Sequence, residues 1–176
     1  MFERIDRWIG KLARLTALAG GLVLIVLIIL TVVSVSGRAL VFAGLGPIPG
    51  DFELVEAGTA FAIFAFLPWC HYRRGNAAVE VLTMHFGATA NRLIEVIANL
   101  LMLLFAILIC WRHSLGTIDK RDFAETTFIL EFPIWWAYAA GLVGAVVFVV
   151  VAAWCFFRSI AEFTGRSEMT AGEELS

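Results

Sequence analysis

Four long apolar runs leave this chain few ways to fold. They cover about Leu15–Gly37, Phe52–Tyr72, Leu93–Trp111 and Pro133–Phe157. A bilayer core needs roughly 20 predominantly apolar residues per crossing helix, and each run approaches or exceeds that length. The chain is 61% hydrophobic and 16% charged, whereas soluble domains lie near half apolar and about a quarter charged. The expected fold is therefore an all-α integral membrane domain of four transmembrane helices. Residues 1–176 form one domain with short connections and an acidic tail at about 166–176. The net charge of −2 gives no reason to expect a nucleic-acid partner.

The first apolar run exceeds the core of a secretory signal, about 7–15 residues, so an uncleaved first helix is expected. Ahead of it, Phe2, Ile5, Ile9 and Leu12 recur at spacings of three to four with charges between them. That pattern predicts an amphipathic helix on the membrane surface, with Trp8 at headgroup depth.

Lys and Arg accumulate on the cytoplasmic side of membrane proteins. With four spans, both termini and the second connection share a side. That side holds Arg4, Arg7, Lys11, Arg14, Arg73, Arg74, Arg92, Arg158 and Arg166, nine of the 13 basic residues. Arg38, Arg112, Lys120 and Arg121 fall opposite. Both termini are expected in the cytoplasm.

Pro47 and Pro49 make the first connection a rigid turn, after which Asp51 is placed to cap the second helix. Glu53 and Glu56 follow in its first turns. They either complement the helix dipole or pair with polar or cationic groups of a partner subunit. Pro133, Trp135 and Trp136 open the fourth span, the proline suited to a helix start and the tryptophans to the interface. The connection Arg112–Phe132, dense in mixed charge, is expected to be solvated or to face a partner. Gly141 with Ala145, and Gly20 less well, offer close approaches to a neighbouring helix.

Charges deep in a membrane usually mark a pathway or relay. Spans one and four carry none, and Glu53, Glu56 and Glu95 lie in the end turns of their helices. His71, His85 and His113 sit at span ends or in a connection and read as interfacial. Cys70, Cys110 and Cys155 form no CxxC pair and read as packing residues. No catalytic, metal or cofactor site is expected. The rival classes are a membrane redox or quinone-reactive subunit, which needs ligands inside the spans, and an autonomous four-helix carrier.

Taken together, the acidic start of span two, FLPWCHYRRGNAAVEVL at its exit and ETTFILEFPIWWAYAAGLVG entering span four resemble one family. It is the small membrane subunit (DctQ-like) of tripartite ATP-independent periplasmic (TRAP) transporters. In that family span two exits through Arg-Gly, a polar residue and Val-Asp. Arg74, Gly75, Asn76 and Val79 match, Glu80 stands where aspartate is usual, and Ala77 replaces a larger aliphatic residue. Pro133, Trp135 and Trp136 match the proline-tryptophan entry to the last span. The resemblance implies a non-catalytic subunit of the bacterial inner membrane without a cofactor. It would steady a large membrane subunit during sodium-driven uptake of an organic anion, often a carboxylate, delivered by a periplasmic binding protein. Arg73, Arg74, Gly75, Asn76 and Glu80 would then fix the inner connection against the large subunit, while Glu53, Glu56, Pro133, Trp135 and Trp136 are further candidates for interface or structural roles.

Overall fold

The computed structural model describes residues 2–73 and 88–164. Within them lie four α-helices: α1 (Phe2–Ala39), α2 (Asp51–Tyr72), α3 (Ala88–Asp122) and α4 (Ile134–Phe163), with a 3-10 turn at Val41–Ala43. All four are long and apolar enough to cross a membrane. Hydrocarbon offers no partner for backbone N–H and C=O groups, so uninterrupted helix is the economical solution.

Several helices outrun the apolar stretches that foretell them. The N-terminal segment, expected as an amphipathic helix on the membrane surface leading into the first span, forms one continuous helix with that span, and α1 reaches about 57 Å over its 38 residues. Of its apolar stripe Ile9 packs on the bundle, where it joins Ala13, Trp69, Tyr72, Val147, Val151 and Cys155 in one core cluster, while Ile5 and Leu12 stay exposed. Likewise α3 continues through Arg112 to Asp122, into the stretch expected as a loop. Lys120 and Arg121 in its last turn complement the negative end of the helix dipole.

The helices are ordered α3, α4, α2, α1. α4 packs along both α3 and α2; α1 packs along α2 and touches α4 more sparsely. Small residues set these distances. A methyl group added at Gly20 would lie 2.9 Å from the Ala65 Cβ, and one at Gly58 would lie 2.8 Å from Leu27. At Gly144 it would lie 2.8 Å from the backbone carbonyl of Phe64. That carbonyl is four residues before Pro68, which is buried inside α2 and has no N–H to offer it. Gly141, Ala145 and Gly20 thus serve the chain's own helix contacts.

The outer faces of α1 and α3 remain apolar and exposed, with Leu22, Ile25 and Ile29 on one and Leu101, Leu104 and Phe105 on the other. Polar side chains within the spans mostly bond back to their own helix. Thr16, Thr31, Thr117 and Ser159 donate to carbonyls three or four residues earlier, as does the Asn99 amide.

The first connection is stapled to α1. Buried Ser34 donates to Asp51 Oδ2 at 2.5 Å and accepts the Ile48 N–H at 3.2 Å. Arg38 approaches the same carboxylate at 3.8 Å. Asp51 is the first helical residue; the N-cap position belongs to Gly50, at φ 76°. There a left-handed residue is needed, and Leu130 packs so closely that any Cβ would collide with it.

Candidate functional site

Polar chemistry in the described residues concentrates at the two ends of the bundle, and at each a carboxylate joins distant segments. At the first end, Glu53 projects from the opening turn of α2 toward the α3–α4 connection. Its Oε1 accepts the N–H of Ile129 at 2.7 Å, and its Oε2 accepts that of Leu130 at 3.0 Å. The connection is further closed on itself. Thr127 N–H donates to the Phe132 carbonyl at 2.9 Å, and Phe132 N–H donates to Thr127 Oγ1 at 3.1 Å. Lys120 and Glu125 pair at 2.5 Å. Ala124 and Glu131 hold positive φ angles of 47° and 53°, a conformation uncommon outside glycine. Glu53 therefore acts as an anchor for backbone amides from a distant segment.

Glu56 lies one turn further along α2, exposed, without an ion pair or hydrogen bond among the described residues. It edges a cavity of about 270 Å³ between α2, α3 and α4, walled by Phe64, Phe132, Tyr138 and His113. His113, expected to be merely interfacial, ties three helices together. Its Nε2–H donates to the Tyr138 carbonyl at 2.9 Å, and its ring stacks on Tyr138 and tilts against Phe64 with centroids 4.6 Å apart.

Pro133, Trp135 and Trp136 share this end with Glu53. Pro133 is the N-cap of α4, just ahead of its first turn. Trp135 lies under the Arg121 guanidinium at 5.9 Å. Trp136 meets Trp135 and Phe132 edge-on and keeps about half its surface open.

The opposite end is built around Asp6, which sequence reading passed over. Tyr72 donates its hydroxyl to Asp6 Oδ2 at 2.8 Å, and Trp154 donates Nε1–H to Oδ1 at 2.7 Å. Arg158 approaches Oδ1 at 3.6 Å and covers the Tyr72 ring at 5.7 Å. One carboxylate thus joins α1, α2 and α4, and charge-assisted bonds of this kind are the stronger ones. A signal existed: an acid in a basic flank, with a tyrosine, a tryptophan and an arginine at matching membrane depth.

Of the motif at the exit of span two, Arg73 is described: its guanidinium lies over Trp69 at 5.6 Å. Arg74, Gly75, Asn76 and Glu80 lie outside the described residues. His71, in the last turn of α2, is buried, edge-on to Phe148, and neither ring nitrogen has a hydrogen-bond partner among the described residues. No cluster of His, Cys, Asp and Glu suited to a metal occurs among the described residues.

A family model described as "Tripartite ATP-independent periplasmic transporters, DctQ component" matches residues 27–162. No curated protein matches the chain. No solved structure matches it.

Proposed function

The chain belongs to the DctQ component family of the tripartite ATP-independent periplasmic transporters, and from that premise we propose that this small permease subunit is a non-catalytic scaffold for the large membrane subunit. The transport it serves is sodium-driven uptake of an organic anion, in the class of carboxylates, handed over by a periplasmic binding protein. The subunit resides in the bacterial inner membrane with both termini in the cytoplasm, following the nine-to-four bias of Lys and Arg.

One observation carries the scaffold reading: a carboxylate braces each end of the bundle. Asp6 joins α1, α2 and α4 at one end. Glu53 ties α2 to the α3–α4 connection at the other. Between them, close helix contacts at Gly20, Gly58 and Gly144 leave little freedom for helices to slide. A body that stays rigid while a neighbour moves against it needs such bracing, and a substrate pathway needs polar groups at mid-membrane that face a cavity. Arg74, Gly75 and Asn76, by their match to the family's motif, are assigned together with the neighbouring Arg73 and Glu80 to the junction with the large subunit.

The test is reconstitution. Proteoliposomes holding the large subunit and supplied with binding protein should take up substrate under a sodium gradient only when this chain is present. Full uptake without it would refute the requirement. Uptake by this chain alone would favour an autonomous carrier.

A further inference from the structure

Within the α3–α4 connection, the double closure between Thr127 and Phe132 leaves a four-residue tip, Phe128–Ile129–Leu130–Glu131. Its composition is unusual for a turn. Solvated turns select Gly, Asn, Asp, Ser and Pro, each for a backbone or hydrogen-bonding reason. Here three large apolar residues stand in sequence, and the backbone is held rather than loose. Glu53 takes the N–H groups of Ile129 and Leu130, and Glu131 is kept at φ 53°. Leu130 turns inward onto Gly50. Phe128 and Ile129 turn outward and are 99% and 57% exposed. A clamped backbone cannot collapse to hide them.

The height of the tip is set by the clamp. Glu53 lies in the first turn of α2, where that helix enters its membrane span. Phe128 and Ile129 are therefore held near the bilayer boundary, although α3 itself projects further. Phe42, Phe52 and Phe123 are also exposed near this end. Below the tip an apolar groove of about 570 Å³ opens between α1, α2 and α4, walled by Val26, Leu30, Phe61 and Trp136 and bounded above by Leu130. The tip thus continues the apolar flank that the helices present to lipid. Exposed apolar runs of this kind call for an apolar environment.

We propose that the Phe128–Leu130 tip is a membrane-interface anchor, with Phe128 and Ile129 immersed in the phospholipid leaflet at the Glu53 end of the bundle. This replaces the solvated or partner-facing loop expected from the charge density of the connection. The charged groups Asp119, Lys120, Arg121 and Glu125 lie on the aqueous side of the tip, which passes beneath them. The proposal rests on the membrane-spanning helices and not on the transport role, so its failure leaves that role untouched.

The test is nitroxide accessibility in lipid nanodiscs, where both faces are open to reagents. Labels are placed at Phe128→Cys and, separately, Ile129→Cys, in the full chain with Cys70, Cys110 and Cys155 replaced. Asp119→Cys serves as the aqueous reference and Leu104→Cys as the lipid reference. Both tip labels should be relaxed by oxygen as at Leu104 and by a water-soluble nickel chelate several-fold less than at Asp119. The result should hold with and without the large subunit. Adding Glu53→Ala should raise chelate access at position 128 at least twofold, because the clamp sets the depth. Chelate access equal to that at Asp119 would overturn the proposal in favour of a solvated loop. Shielding from both reagents only when the large subunit is present would overturn it in favour of a protein-docking element. Unchanged access in the Glu53 variant would overturn the role of the clamp.

Discussion

Asp6 and Tyr72, 66 positions apart, meet at 2.8 Å where α1 crosses the end of α2. Gly10 makes the meeting possible, since a methyl group there would lie 2.7 Å from the Tyr72 hydroxyl. The same carboxylate holds Trp154 of α4. Asp6→Ala should therefore loosen three helices together, costing about 1–2 kcal/mol given that Asp6 is partly exposed. Asp6→Asn, which retains an acceptor oxygen, should cost less. Thermal unfolding followed by Trp fluorescence checks both. Equal melting temperatures for wild type and Asp6→Ala would contradict the bracing role.

Glycine positions offer a sharper contrast. Gly144 faces the Phe64 carbonyl with no room for a methyl group, whereas a methyl group at Gly21 would meet nothing within 4 Å. Gly144→Val should destabilise the bundle by about 1–3 kcal/mol through overpacking. Gly21→Val should change stability little, because it points away from the bundle. Size-exclusion profiles after graded heating of the two variants give the comparison. Similar profiles would mean that the α2–α4 contact is more compliant than its geometry implies.

Removing the Glu53 carboxylate frees two backbone amides. In Glu53→Ala, hydrogen exchange at Ile129 and Leu130 should accelerate at least tenfold, with the core of α4 unaffected. Glu53→Gln should fall between, since its amide keeps one acceptor. Peptide-resolved exchange measurements on the purified chain report this directly. Retained protection at 129 and 130 would show that the Thr127–Phe132 closure suffices alone.

Topology is testable by labelling. Single cysteines at Asn76 and Asp119, in a background without the native three, should react with a membrane-impermeant maleimide from opposite faces. Asn76 should react from the cytoplasm and Asp119 from the periplasm. Labelling of both from the periplasm would overturn the orientation.

The helices were legible because each span is a sustained apolar run, and hydrocarbon enforces helix wherever such a run crosses it. Their true ends were not. The charges of Arg112–Asp122 mark the end of the lipid-facing stretch, whereas helix continues while backbone bonding and the packing of Gly116 against Tyr138 favour it. Glu53 could be picked out as an acid at a helix start, but its partners are backbone amides of Ile129 and Leu130, and backbone donors leave no mark in residue identity. Asp6 was hidden differently. On an amphipathic segment it counts as one more polar residue, and only the convergence of Tyr72, Trp154 and Arg158 singles it out. Small residues at 20, 141 and 145 announced close packing without saying whether the neighbour belongs to the same chain.

A scaffold subunit stays rigid while the large subunit works. Double electron–electron resonance between nitroxides at Gly21→Cys on α1 and Leu104→Cys on α3, both on outward faces, tests it in the reconstituted transporter. The cycle is driven by adding sodium and substrate-loaded binding protein, and a third label on the large subunit's transport domain confirms that movement occurs. A rigid scaffold gives an unchanged distance distribution between positions 21 and 104 while the distance to the transport domain shifts. A shift of the 21–104 distance in step with transport would contradict the scaffold and make this chain a moving part.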